Sequence, residues 1–142
     1  MDFKEFIEKP RVLTEKICLL ETQLETLRSS SKFASSRPSQ TPKGNSRYAS
    51  AVEEYITRID GIEKLIPQLR ETRDAIGLEI SLLFSELDNI LQMRVLSMRY
   101  LDFKTFPEIM ATLGYGKQYV FRLHKEGLEA VEKIYLKKRE QQ

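Results

Sequence analysis

Apolar residues recur along this chain at alternating steps of three and four, the period of helices that pack along one face. The first such run, Leu13, Ile17, Leu20, Leu24 and Leu27, predicts a helix over residues 13–27. Pro10 suits its first turn, where a missing N–H is no loss. Phe3, Phe6 and Ile7 precede it and fit a short leading turn or an apolar lid. The longest run passes through Tyr48, Val52, Tyr55, Ile59, Ile62, Ile66, Leu69, Arg73, Ile76, Ile80, Leu83, Leu87 and Ile90, with only Arg73 polar. A single helix over residues 48–90 would be roughly 65 Å long at 1.5 Å per residue, longer than a small domain is wide. Its stripe needs another helix, either from residues 11–28 or from a second subunit. Pro67 interrupts the run while the apolar phase continues, so a kink or short break is expected there. Arg73 either packs its stem with its head in water or sets register and partner number.

The pattern changes after residue 90. Leu91, Val95, Leu96, Met98, Tyr100 and Leu101 predict a short helix that stops near Asp102. Thr105-Phe106-Pro107-Glu108 reads as a capping box with proline in the first turn, so a second helix starts at Thr105. Phe106, Ile109, Met110 and Leu113 face inward, and Gly114 ends the helix as a left-handed residue. Tyr115 and Gly116 make a tight turn. A third helix runs from about Lys117 to Lys138, with Val120, Leu123, Gly127, Leu128, Val131, Ile134 and Tyr135 on one side. No β-type alternation occurs, so the fold class is all-α. A helical hairpin or coiled coil precedes a compact three-helix head. The segments are residues 1–28, a flexible basic linker at 29–47, a long helix at 48–90 and the head at 91–142. The linker holds seven Ser, two Pro and one Gly and has little to bury.

Charge sharpens this division. The four segments carry net charges of −1, +4, −5 and +4 within a total of +2. An acidic shaft joined to a basic head suggests an anion-binding head. A lone Cys18 makes no internal disulfide and fits a reducing cytoplasm. No apolar run approaches the roughly 18 residues that span a bilayer, so no membrane partner is expected. The first residues mix acids with bases and do not read as a signal peptide. Glycine-rich phosphate loops, HExxH and CxxC motifs are absent, and a single His124 cannot make a metal site. The expectation is no enzyme, no metal and no cofactor.

Two short helices joined around glycine have the geometry of a helix-turn-helix, whose second helix enters the major groove by its N-terminal end. With Val120 and Leu123 inward, the outward set is Lys117, Gln118, Phe121, Arg122 and Lys125. Lys117 and Arg122 supply guanine-type donors, Gln118 an adenine-type amide, and Phe121 an apolar contact for a thymine methyl. Lys104, the Thr105 hydroxyl and Lys125 suit phosphate. Tyr119 suits either packing or a phosphate contact, and His124 a hydrogen bond or a phosphate contact. Arg99 suits an internal bond to a carboxylate such as Glu108, or a phosphate.

The stretch from Val95 to Val131 resembles region four of bacterial sigma factors. Leu96, Arg99, Tyr100, Leu101, Glu108, Ile109, Leu113, Gly114, Val120 and Leu128 carry the likeness. The whole layout is similar to phage and prophage proteins of Gram-positive bacteria related to the ArpU and RinA late-transcription regulators, most closely in Tyr119 to Leu128. That resemblance implies a sequence-specific regulator of double-stranded DNA, a late-gene activator in the bacterial cytoplasm, with host RNA polymerase as a further partner. It also matches Lys117, Gln118 and Arg122 to base-reading positions. The sequence departs from the pattern at Met110 and Gly127, where alanine is usual, at Gly116, where Ser or Thr caps, and at Phe106, often Trp. Gly127 should loosen the third helix by about 1 kcal/mol.

A homo-oligomer, with a dimer favoured, would pair the heads through Ile59, Ile62, Ile66, Leu69, Arg73, Ile76, Ile80, Leu83 and Leu87. Two rival readings use the same residues. One is a DNA-packaging protein like a small terminase subunit, which also joins such a head to an oligomerising helical pair. The other is a coiled-coil interaction module with a remnant head.

Overall fold

The computed structural model describes residues 1–30 and 45–142, and among them every regular element is helical. The helices are α1 (Phe3–Arg28), α2 (Asn45–Phe84), α3 (Ile90–Tyr100), α4 (Phe106–Leu113) and α5 (Lys117–Glu140). The protein is all-α in these residues, and none of these helices is long and apolar enough to cross a membrane. Most of the expected linker lies outside the described residues. Its last three positions, Asn45 to Arg47, already belong to α2. The chain divides into two compact units, residues 14–71 and residues 1–13 with 72–142.

In the unit of residues 14–71, α1 and α2 present apolar seams to each other. Ile17, Leu24 and Ile66 are buried together, with Leu20, Ile59, Ile62 and Leu69 packed around them. Arg28 reaches Glu63 at 2.6 Å and Arg70 reaches Glu21 at 3.1 Å, while the Tyr55 hydroxyl donates to the Leu27 carbonyl. The ion pairs are exposed and contribute at most about 1 kcal/mol each, so apolar burial dominates. Ile59, Ile62, Ile66 and Leu69 face α1 of their own chain, the first of the two partners expected for the stripe. The helix continues across Pro67 without a break. An interior proline costs about 3 kcal/mol, which the seam on either side of it offsets.

In the other unit, the outer turns of α1 and the last turns of α2 meet α3 and α5. Phe3, Phe6, Ile7, Ile80, Leu83, Phe84, Leu96, Tyr100, Val131 and Tyr135 form its main core, with Ile76, Leu87 and Leu128 packed against it. Phe6 stacks on Tyr135 at 4.9 Å between centroids. This explains the first departure from expectation: α1 begins at Phe3, not near residue 11, and Pro10 lies inside it and is buried. Burying Phe3, Phe6 and Ile7 contributes about 1.5–3 kcal/mol each, more than one interior proline costs. Asp2 starts the helix, its Oδ1 accepting from the Glu5 N–H at 2.7 Å.

The second departure is at the end of the long stripe. α2 stops at Phe84, so Leu87 lies beyond it and packs on the main core, and Ile90 opens α3 with 64% of its surface exposed. Asn89 makes the new start: its Oδ1 accepts from Leu91 N–H at 2.9 Å and Gln92 N–H at 3.3 Å. A side chain that caps a fresh helix overrides a periodic phase that would have run through it. Ile80 and Leu83 are buried in the main core, and Ile76 packs against it. Arg73 is half-buried and its Nε donates to the exposed Asp74 at 3.0 Å.

α3, α4 and α5 also pack pairwise on one another. Their shared core is Val95, Met98, Ile109, Val120 and Leu123, with Leu91, Phe106, Met110, Leu113 and Tyr119 around it. α3 therefore serves two cores, Val95 and Met98 on one side and Leu96 and Tyr100 on the other. Between α3 and α4, Phe103 takes φ 58°, a conformation that costs a non-glycine residue roughly 1–2 kcal/mol. Gly127 marks the closest approach of α5 to α3. A Cβ there would meet Leu96 Cδ1 at 3.0 Å and Gln92 Cβ at 3.2 Å. The glycine expected to loosen α5 is what lets the two helices touch.

Candidate nucleic-acid interface

The connection between α4 and α5 fixes where the outward side chains of α5 point. Thr105 caps α4: its hydroxyl accepts from Glu108 N–H at 3.3 Å, and Glu108 Oε1 accepts from Thr105 N–H at 3.1 Å. Gly114 closes the helix at φ 75°, its N–H donating to Met110 O at 2.8 Å. Gly116 opens α5 without a side-chain cap. Val120 and Leu123 are buried, so Lys117, Gln118, Phe121, Arg122 and Lys125 all lie on the exposed side. Gly116, Lys117, Gln118, Tyr119 and Arg122 line an open cleft at this helix start. The helix N-terminus carries partial positive charge there, which adds to that of the two cations.

The cations of this surface lie on aromatic rings. Lys117 Nζ sits 5.6 Å from the Phe121 centroid, and the Arg122 guanidinium sits 5.1 Å from that of Tyr119. Tyr119 is half-buried and meets Tyr115 edge-on at 4.9 Å. Phe121 keeps 38% of its surface exposed. Such contacts restrict long side chains and lower the entropy they lose on binding.

Thr105, His124 and Arg99 are each engaged within the chain. The Thr105 hydroxyl is engaged at 2.9 Å with the Glu108 carboxylate, so an acid occupies the helix start where a phosphate was expected. The backbone N–H and hydroxyl of Thr105 hold the Glu108 carboxyl below its usual range. His124 turns inward: its Nε2 lies 2.8 Å from the Tyr100 hydroxyl, its ring stacks on Tyr100 at 5.7 Å, and it meets Phe106 edge-on at 5.0 Å. Burial, and then the nearby Arg99, push His124 below its usual pKa, with Glu8 opposing. Burial and Glu8 push Tyr100 up to about 12. Of its two expected roles, His124 takes the hydrogen bond here, with the Tyr100 hydroxyl. Arg99 is internal, but it donates to the Lys104 carbonyl at 3.1 Å and lies 4.6 Å from the Phe106 centroid instead of reaching Glu108.

Lys104 is half-buried beside the capped start of α4, and Lys125 is exposed one turn beyond Phe121. Of the cations expected to meet DNA, these two stand with Lys117 and Arg122. Two contributors were missed from sequence. Phe106 was read only as core, whereas it contacts Arg99, His124 and Phe121 at once. Gly127 was read as a defect, although its placement opposite Leu96 on an adjacent inward face was a usable signal. No group of His, Cys, Asp and Glu among the described residues is arranged to hold a metal ion. Comparison of the chain with protein-family models, with curated proteins and with solved structures gives no match.

Proposed function

We propose that this protein is a sequence-specific DNA-binding transcription regulator of phage or prophage type, in which α4 and α5 act as a helix-turn-helix. α4 crosses the DNA backbone and the N-terminal turns of α5 enter the major groove. Lys117, Gln118, Phe121 and Arg122 read bases, and Lys104, Lys125 and Tyr119 contact phosphates. One observation carries this reading. A left-handed glycine turn presents two cations, an amide and an aromatic ring, all exposed, on the first two turns of one helix. That set matches the donor, acceptor and methyl pattern of the major groove. An enzyme is not proposed.

The remaining parts follow from the resemblance to sigma region four and to the ArpU- and RinA-related regulators. α1 and α2 form a helical hairpin that serves as a shaft, and activation of late genes proceeds through contact with host RNA polymerase in the bacterial cytoplasm. Two copies read two half-sites. Because the α2 stripe is occupied by α1 and the core of its own chain, their pairing falls to surface outside that stripe.

The test is selection of random duplexes by the purified full-length protein at two salt concentrations. A defined motif with affinity falling steeply in salt is expected. Salt-sensitive binding without a motif would replace the regulator by a packaging role, and no binding at either salt would overturn the DNA reading.

A further inference from the structure

Phe106 stands behind the exposed face of α5, at the first position of α4. Its backbone is held by the Thr105–Glu108 capping box. Three side chains fix its ring. The Arg99 guanidinium lies 4.6 Å from its centroid, His124 meets it edge-on at 5.0 Å and 88°, and Phe121 meets it edge-on at 4.8 Å and 84°. Arg99 and His124 are themselves tied, by Lys104 O and the Tyr100 hydroxyl. Phe121 is on the outer side of this set, partly exposed, with Lys117 Nζ 5.6 Å from its centroid. An exposed phenylalanine on a helix ordinarily samples two χ1 rotamers. Here one of them is selected by contact with a ring that Arg99 and His124 hold from its other sides.

We infer that Phe106 is a specificity-determining positioning residue, which aims Phe121 at a thymine methyl and Lys117 at a neighbouring guanine. The inference rests on the DNA reading proposed above. The thymine C5-methyl is an apolar group that the major groove displays, and lysine donates to guanine O6 and N7. Successive base pairs rise about 3.4 Å along a strand, so two groups 5.6 Å apart suit adjacent pairs. Phe106 touches no base. It acts through Phe121, and the base preference it controls is for one methyl group.

That methyl can be removed alone by replacing thymine with deoxyuridine, one position at a time, in the selected duplex. The wild-type full chain is expected to lose about threefold to tenfold in affinity at one thymine, with the neighbouring pair a G·C. Phe106→Leu is expected to bind thymine and uracil duplexes alike while the salt dependence is unchanged. Phe106→Met, unbranched and of similar volume to leucine, serves beside it as a second ringless variant, while Phe106→Tyr retains the ring and the methyl preference. F121L should match F106L, and the double variant F106L/F121L should be no more indifferent than F121L alone. The inference is overturned if F106L or F106M keeps the full preference, if either weakens all duplexes equally, or if its effect adds to that of F121L. A wild-type protein that selects no motif overturns the DNA reading instead, and this inference with it.

Discussion

Gly127→Ala sets two known effects against each other. Alanine is favoured over glycine inside a helix by about 1 kcal/mol. Against this, the new Cβ would sit 3.0 Å from Leu96 Cδ1, 3.2 Å from Gln92 Cβ and 3.4 Å from Leu96 Cγ. Leu96 is fully buried in the main core. Gln92 Cβ is fixed to the α3 backbone, so relief there requires α3 itself to shift. Overpacking of this kind costs typically about 1–3 kcal/mol. The net expectation is a loss of about 1 kcal/mol, or roughly 3–5 °C in Tm for a chain of this size. Gly77→Ala is the internal control. Gly77 lies in α2 and in the same compact unit, and a Cβ there meets nothing within 4 Å. It should gain about 0.5–1 kcal/mol, because only the propensity effect remains. Thermal unfolding followed by circular dichroism reads both. A Tm for G127A equal to or above that of the wild type would refute the close approach of α3 and α5 as the reason for glycine.

Thr105→Ala should cost about 1 kcal/mol through the lost helix cap, and NMR titration should show the Glu108 carboxyl rising toward its ordinary range. Glu108 supports folding at pH values above its unfolded pKa, and that support disappears as pH falls through its lower folded value. His124 follows the same sign: its folded pKa is depressed, so the unfolded chain binds more protons and stability falls as pH drops below about 6.5. His124→Gln should flatten that acidic limb in a Tm-versus-pH series; an unchanged slope would remove His124 as its source. Arg122→Ala should cost about 1–3 kcal/mol at one base position, whereas Lys125→Ala should weaken all sequences and reduce the salt slope by about 1. Reversed outcomes for the two variants would exchange their roles.

Local signals were legible where the chain itself satisfies its backbone groups. The capping box at Thr105, the left-handed Gly114 and the inward pair Val120 and Leu123 all follow from short-range rules, and they determine which side chains α5 exposes. Signals that depend on distant partners were not. Nothing near Pro10 announces that Phe3, Phe6 and Ile7 will be buried against Tyr135 and Ile80, yet that burial carries α1 through the proline. Leu87 and Ile90 keep the apolar phase of α2, but the Asn89 cap ends it. For His124 and Arg99 an internal bond was one of two readings, but its partners, the Tyr100 hydroxyl and Lys104 O, were not legible. The stripe on α2 was read correctly as a packing surface, but period alone does not say whether its partner lies in the same chain.

Closure of the main core on residues from both ends of the chain bears on the order of folding. Phe3 and Phe6 meet Tyr135 across some 130 residues, and the whole of the 14–71 unit lies between these partners in sequence. During synthesis the seam between α1 and α2 is available as soon as residue 71 has emerged, while the aromatic residues of the first turns remain exposed until α5 follows. Contacts this distant in sequence bring loop-closure entropy that local helix pairing does not. A nascent chain stalled before residue 131 should therefore hold its N-terminal aromatics open to chaperones and proteases, and emergence of α5 should protect them in a single late step.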